Sequence, residues 1–169
     1  MKIESKIMLN LSINSKWQAI IYGFIFGFFT ISISIFFAYL IDNIYPSAVS
    51  GGRNIDTVEL IIMFVSGVVI FPVIETLIFQ MLIFELIGFE KKGKLILSLF
   101  CSVIIFSAAH IFSGIHHAAM MIVVGFLFAC IYLVARKKSK MMAFLTTAAA
   151  HTSHNLIVFF LLIKYPDLA

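Results

Sequence analysis

Residues 58–89 read VELIIMFVSGVVIFPVIETLIFQMLIFELIGF, and this stretch decides the fold. Its ionisable side chains are Glu59, Glu75 and Glu85, and of these only Glu75 lies far from an end. About 20 apolar residues in helical form cross the hydrocarbon core of a bilayer, which is about 30 Å thick. At about 1.5 Å per residue this stretch would extend for nearly 50 Å. It is therefore expected to kink at Gly67 or Pro72, or to divide there into a short helix and a second one.

Outward from this stretch the same pattern repeats. Apolar runs are expected to span at Trp17–Ile41, Lys94–Phe112, His117–Ala135 and Met141–Ile163, with a turn-rich loop from Asp42 to Thr57 that contains Pro46, Gly51 and Gly52. The chain is 62% hydrophobic and 12% charged, about half the charged share of a soluble domain. Nineteen Phe would leave a water-soluble surface little to cover itself with. The expected fold class is all-α: a polytopic transmembrane helical bundle of five to six membrane helices. Residues 1–169 form a single membrane-embedded domain, and the lipid bilayer is its first partner. The first run is too long for a signal peptide and lacks a small-x-small cleavage site, so it reads as a retained helix. Cys101 and Cys130 lie inside apolar runs and read as packed thiols, not as a disulfide.

The net charge of +4 does not point to nucleic acid. The basic residues form short clusters between apolar runs, where they orient helices in a membrane. With five crossings, one side collects Lys2, Lys6, Lys16, Lys91, Lys92, Lys94, Arg136, Lys137, Lys138 and Lys140, and the other only Arg53 and Lys164. This bias predicts a multi-pass protein of the cell membrane with a cytoplasmic N-terminus and an external C-terminus.

Ionisable groups at membrane depth are costly and mark function by default. Glu75 lies in FPVIETLIFQ, His110 in FSAAH, and His151, His154 and Asn155 in HTSHN. Counted from the flanking lysines of the expected cytoplasmic side, Lys91, Lys94 and Lys140, the residues Glu75, His110, His151 and Asn155 fall roughly 16 to 24 Å along their helices. Three spans thus place polar groups in one layer. His151 and Asn155 are four residues apart and share a helix face, and Ala148, Ala149 and Ala150 before them allow a close helix neighbour. Each has a bland alternative: a buried structural carboxyl for Glu75, helix packing for His110, interhelical hydrogen bonding for His151 with Asn155. His116 and His117 read as ordinary residues of a short external loop, and Glu59 and Glu85 as span-end groups without a chemical role.

The sequence has no HExxH, no GxSG elbow and no intramembrane aspartate pair. What remains is a carboxylate with imidazoles and an amide. A carboxyl group in low dielectric titrates closer to neutrality than one in water, which suits a general base. Imidazole and amide N–H groups can receive an oxyanion, so peptide hydrolysis by an activated water is feasible. No cofactor is expected, although histidines with a carboxylate can also hold zinc, and the residues alone do not exclude it.

Glu75 with Thr76 and Gln80, Phe106 with His110, and His151 with Asn155 together resemble the CPBP family of membrane proteases. That family takes in CAAX prenyl endopeptidases and bacterial Abi proteins tied to bacteriocin processing and immunity. Its pattern is EExxxR, FxxxH and HxxxN on successive helices. The similar core covers about 58–163. The resemblance implies a glutamate-dependent intramembrane endopeptidase, in which Glu75 activates water with His110 while His151 and Asn155 stabilise the oxyanion. The substrate would be a membrane-associated peptide or protein, cut in the cytoplasmic half of the bilayer. The family's second Glu is Thr76 here and its Arg is Gln80, a double loss that leaves no unpaired charge. The alternative is a catalytically degenerate protein of immunity or regulatory type that binds a peptide or partner. A small transporter or proton relay is a third reading.

Overall fold

The computed structural model describes residues 13–44 and 56–164. Lys2, Lys6, Pro46, Gly51, Gly52 and Arg53, used above for orientation and for the loop, lie outside the described residues. Among the described residues the elements are all helical: α1 (Lys16–Ile44), α2 (Thr57–Ile87), α3 (Lys92–Ala109), α4 (Ile115–Arg136) and α5 (Lys140–Lys164). Each of the five is long and apolar enough to cross a membrane. The all-α transmembrane bundle expected from the sequence is the fold observed.

Local chemistry sets the helix starts. Before α1, the Ser15 hydroxyl accepts from Gln18 N–H, while the Gln18 side chain accepts from Asn14 N–H. Asp56 accepts from Glu59 N–H at 2.8 Å, and the Ser139 hydroxyl accepts from Met142 N–H at 3.1 Å. Side-chain oxygens thereby satisfy donors that the first helical turn leaves without partners. Gly88, at φ +86°, ends α2 where a side chain would be strained.

The long stretch does not divide. Thr57–Ile87 is one continuous helix, with two wider π-helical segments, Phe64–Ile70 and Thr76–Leu82, on either side of Phe71–Glu75. The third span is shorter than expected. It stops at Ala109, passes through His110 and a 3₁₀ turn at Ile111–Ser113, and reverses at Gly114, where φ is +113°. His116 and His117 therefore belong to the first turn of α4 and not to a loop.

The helices pack by two means. Along α1, Gly23 and Gly27 are four residues apart and face α5. A methyl on Gly23 would collide with Thr146 O and Ala149, and one on Gly27 with the Ser153 hydroxyl and Ala150 O. The missing side chains let the two backbones approach, as small residues do in membrane bundles. The Ser153 hydroxyl then donates to Phe24 O at 3.0 Å. At the lysine-rich end, Arg136 binds both oxygens of Glu85 at 2.6 and 3.1 Å, and Tyr132 OH donates to Glu85 at 3.0 Å. Arg136 also lies over the Phe89 ring. Glu85 thus fastens α2 to α4. The outer surface is Phe, Ile and Leu, with Trp17 76% exposed beside Lys16, a composition suited to lipid and its interface. Cys101 and Cys130 are free and half-buried.

Candidate active site

The middle of α2 determines how the site is built. In an α-helical ladder Gly67 O would receive Phe71 N–H, but in this wide turn Phe71 N–H goes to Ser66 O. The next candidate donor is residue 72, and proline has no N–H. Gly67 O is left over, and the Asn155 side-chain amide donates to it at 2.9 Å. A single proline thereby creates the acceptor that fixes Asn155. One of the two Asn155 amide protons is used, and the other is left to donate elsewhere.

Glu75 sits one turn on. Its Oε2 lies 3.4 Å from His151 Nε2 and 3.9 Å from His110 Nε2, so α2, α5 and the end of α3 meet at one carboxylate oxygen. The side chains are 23% exposed for Glu75, 19% for His110 and 3% for His151. His110 Nδ1 is 2.8 Å from Phe106 O. A carbonyl only accepts, so Nδ1 carries the proton, and in its Nδ1–H tautomer the ring presents a lone pair at Nε2. Two acceptors, Glu75 Oε2 and His110 Nε2, thus face each other across a gap that one water can bridge with its two O–H groups.

Phe106 anchors His110 through its ring as well, with centroids 4.7 Å apart. Gly125 of α4 gives Phe106 its seat, because a Cβ there would come within 2.7 Å of the Phe106 ring. His151 is sandwiched by aromatics, 4.5 Å from the Phe128 ring and 5.8 Å from that of Phe106. His154 is not among the histidines paired with Glu75. Its Nδ1 is 2.9 Å from the Thr30 hydroxyl, which also donates to Gly27 O, so this histidine ties α5 to α1.

Glu75, His110, His117, His151, His154 and Asn155 share one cavity of about 610 Å³ with apolar walls that include Phe71, Ile74, Met121 and Val158. That volume suits a short stretch of peptide and exceeds what a single ion needs. Among the described residues no group of three or more His, Cys, Asp or Glu is placed to hold a metal ion. All four residues singled out from the sequence line this cavity. His117 was missed, because the chain reverses at Gly114 and removes any helical register linking it to His110. Glu85, given no role from the sequence, proves to be the clasp described above.

Thr76 and Gln80 are fully buried beneath this layer, and Thr76 Oγ1 and both Gln80 amide atoms have no hydrogen-bond partner among the described residues. Relative to the lysines the site is high. Ala109 ends the 18 residues of α3 that begin at Lys92, about 27 Å of helix. His110 is thus near the end of the bundle away from the lysines.

The fold and this constellation define a class: a helical membrane protein with a carboxylate and imidazoles gathered in an intramembrane cavity. The family model for type II CAAX prenyl endopeptidase, Rce1-like, matches residues 57–157, and the chain belongs to that family. The match takes in α2, α3, α4 and most of α5, and with them Glu75, His110, His151 and Asn155. No curated protein and no solved structure gives a significant match.

Proposed function

We propose that this protein is an intramembrane endopeptidase that hydrolyses a peptide bond of a membrane-associated peptide or protein. The observation that carries the reading is the approach of His110 Nε2 and His151 Nε2 to one Glu75 oxygen from two other helices. A water held between Glu75 and His110 gives a proton to Glu75 as its oxygen attacks the scissile carbonyl. The oxyanion that develops is received by the His151 ring N–H and the unused Asn155 amide proton. Positioned base catalysis contributes about 10²–10⁴-fold, and each oxyanion donor about 10²–10³-fold. Family membership supports a protease of the CAAX type in general.

In this reading the lysine-rich end is cytoplasmic and the protein is a multi-pass protein of the cell membrane. The cavity then lies past the mid-plane, in the half of the bilayer away from the cytoplasm. This proposed depth differs from the cytoplasmic-half placement expected from the sequence. The test is turnover of a pool of internally quenched apolar peptides by purified protein in proteoliposomes. Cleavage by the wild type that Glu75→Gln and His110→Ala both abolish supports the reading, and cleavage retained in Glu75→Gln overturns it.

A second reading is favoured by one observation: the family's Glu and Arg are replaced by Thr76 and Gln80, whose buried polar atoms have no hydrogen-bond partner among the described residues. In that reading the protein binds a peptide or partner without cutting it. The same assay separates the two, because a binder retains the apolar peptides with no cleavage in any variant.

A further inference from the structure

The cavity holds a group that the reaction above leaves unassigned. His117, on the exposed first turn of α4, lines the same space as Glu75, His110 and His151. Its ring lies 5.5 Å from that of His110, centroid to centroid, at 45°. The contact is fixed by more than the rings. Ser107 Oγ of α3 donates to Ala118 O at 2.6 Å, which staples the end of α3 to the first turn of α4 beside His117.

Peptide hydrolysis needs two proton transfers: one away from the water and one to the departing amine, which cannot leave as an anion. The groups in the cavity with a transferable proton are Glu75, His110, His117, His151 and His154. Glu75 and His110 hold the water, Glu75 ending the first step with a water proton at the attack side of the carbonyl carbon, and His151 is assigned with Asn155 to the oxyanion. His154 is held by Thr30. With the carbonyl carbon beside the Glu75–His110 water and its oxygen facing α5, a peptide bound with its amine side toward α4 would bring the leaving nitrogen to His117, which lines the same space against His110.

We propose that His117 is a further catalytic residue, the acid that protonates the leaving amine; this rests on the endopeptidase reading. The water oxygen bonds to the carbonyl carbon as Glu75 takes one water proton, and the carbonyl π pair moves onto oxygen. As the oxyanion re-forms the carbonyl, the C–N bond breaks, and its electron pair takes the proton of the His117 imidazolium. The products are a carboxylic acid and an amine, with Glu75 protonated and His117 neutral. Return of the Glu75 proton through water to His117 restores the starting state.

An ester's alkoxide leaving group has much less need of such an acid. The probes are therefore the apolar peptide of the pool that the wild type cleaves fastest and its depsipeptide, with an ester oxygen in place of the scissile N–H. In proteoliposomes, His117→Gln and His117→Phe, the second keeping a ring against His110, are each expected to lose about 100-fold in amide turnover. Each should change ester turnover less than about threefold, far inside that general-acid range. Equal losses on both probes, or full amide activity in either variant, overturn the proposal. Glu75→Gln keeps the two levels apart. It should abolish cleavage of both probes; if it spares both, the endopeptidase reading has failed, and the assignment of His117 falls with it.

Discussion

At the residue scale, Pro72 and Asn155 act as one device. The wide turn and the proline leave Gly67 O without a backbone donor, and Asn155 fills the place. Pro72→Ala restores an N–H that competes for Gly67 O and lets the Asn155 amide move. Turnover of the apolar peptide is expected to fall about tenfold to a hundredfold, as small misplacements of catalytic groups do. Asn155→Ala should fall further, about 10²–10³-fold; a fully active Pro72→Ala would detach the proline from the site. Thr76 and Gln80 make a second case. Both are buried, and they lie four residues apart on α2. Thr76→Glu alone buries an uncompensated charge and should lower stability by about 3 kcal/mol or more. Adding Gln80→Arg supplies a partner at helical spacing and should recover part of that loss. Thermal unfolding in detergent reads both, and a double variant no better than the single would show that the two positions do not meet.

At the element scale, α1 is held by what it lacks. Gly27 faces Ser153 and Ala150 so closely that Gly27→Ala must push α1 away from α5. A loss of about 1–3 kcal/mol in unfolding free energy is expected, with an unchanged value as the contrary result. The Glu85–Arg136 pair joins α2 to α4 through charge-assisted hydrogen bonds, so Glu85→Gln should cost about 1–3 kcal/mol by the same measurement. The spans themselves were legible because a run of apolar residues long enough to cross lipid leaves few alternatives. The seam of Gly23 and Gly27 was not read, since glycines in an apolar run look alike until a neighbour is placed against them. The Glu85 clasp was hidden for a related reason: its partner Arg136 lies 51 residues away, and nothing local pairs them. Pro72 was read as a place to kink or divide the stretch; the helix does not divide there, and it accommodates the proline between two π-helical segments, a feature common at functional positions.

At the scale of the whole molecule, the bundle has a basic end and a cavity end. Lys92, Lys94, Lys137, Lys138 and Lys140 lie at one end, and Ser113 and His117 open at the other. With Cys101 and Cys130 replaced by alanine, a cysteine at Ser113 should react with a membrane-impermeant maleimide added outside intact cells, and one at Lys92 only after permeabilisation. The reverse pattern would invert the proposed topology. The common depth of Glu75, His110, His151 and Asn155 could be counted from flanking lysines, because helical rise is fixed. His117 could not, because its place depends on how tightly the chain turns at Gly114. In the proposed mechanism Glu75 of α2 and His110, at the end of α3, act on one water. The most direct test is a double-mutant cycle on turnover with Glu75→Gln, His110→Ala and their combination. Groups sharing one water lose their effect together, so the double variant should be within about threefold of the slower single. Losses that multiply would show two independent roles and contradict the account.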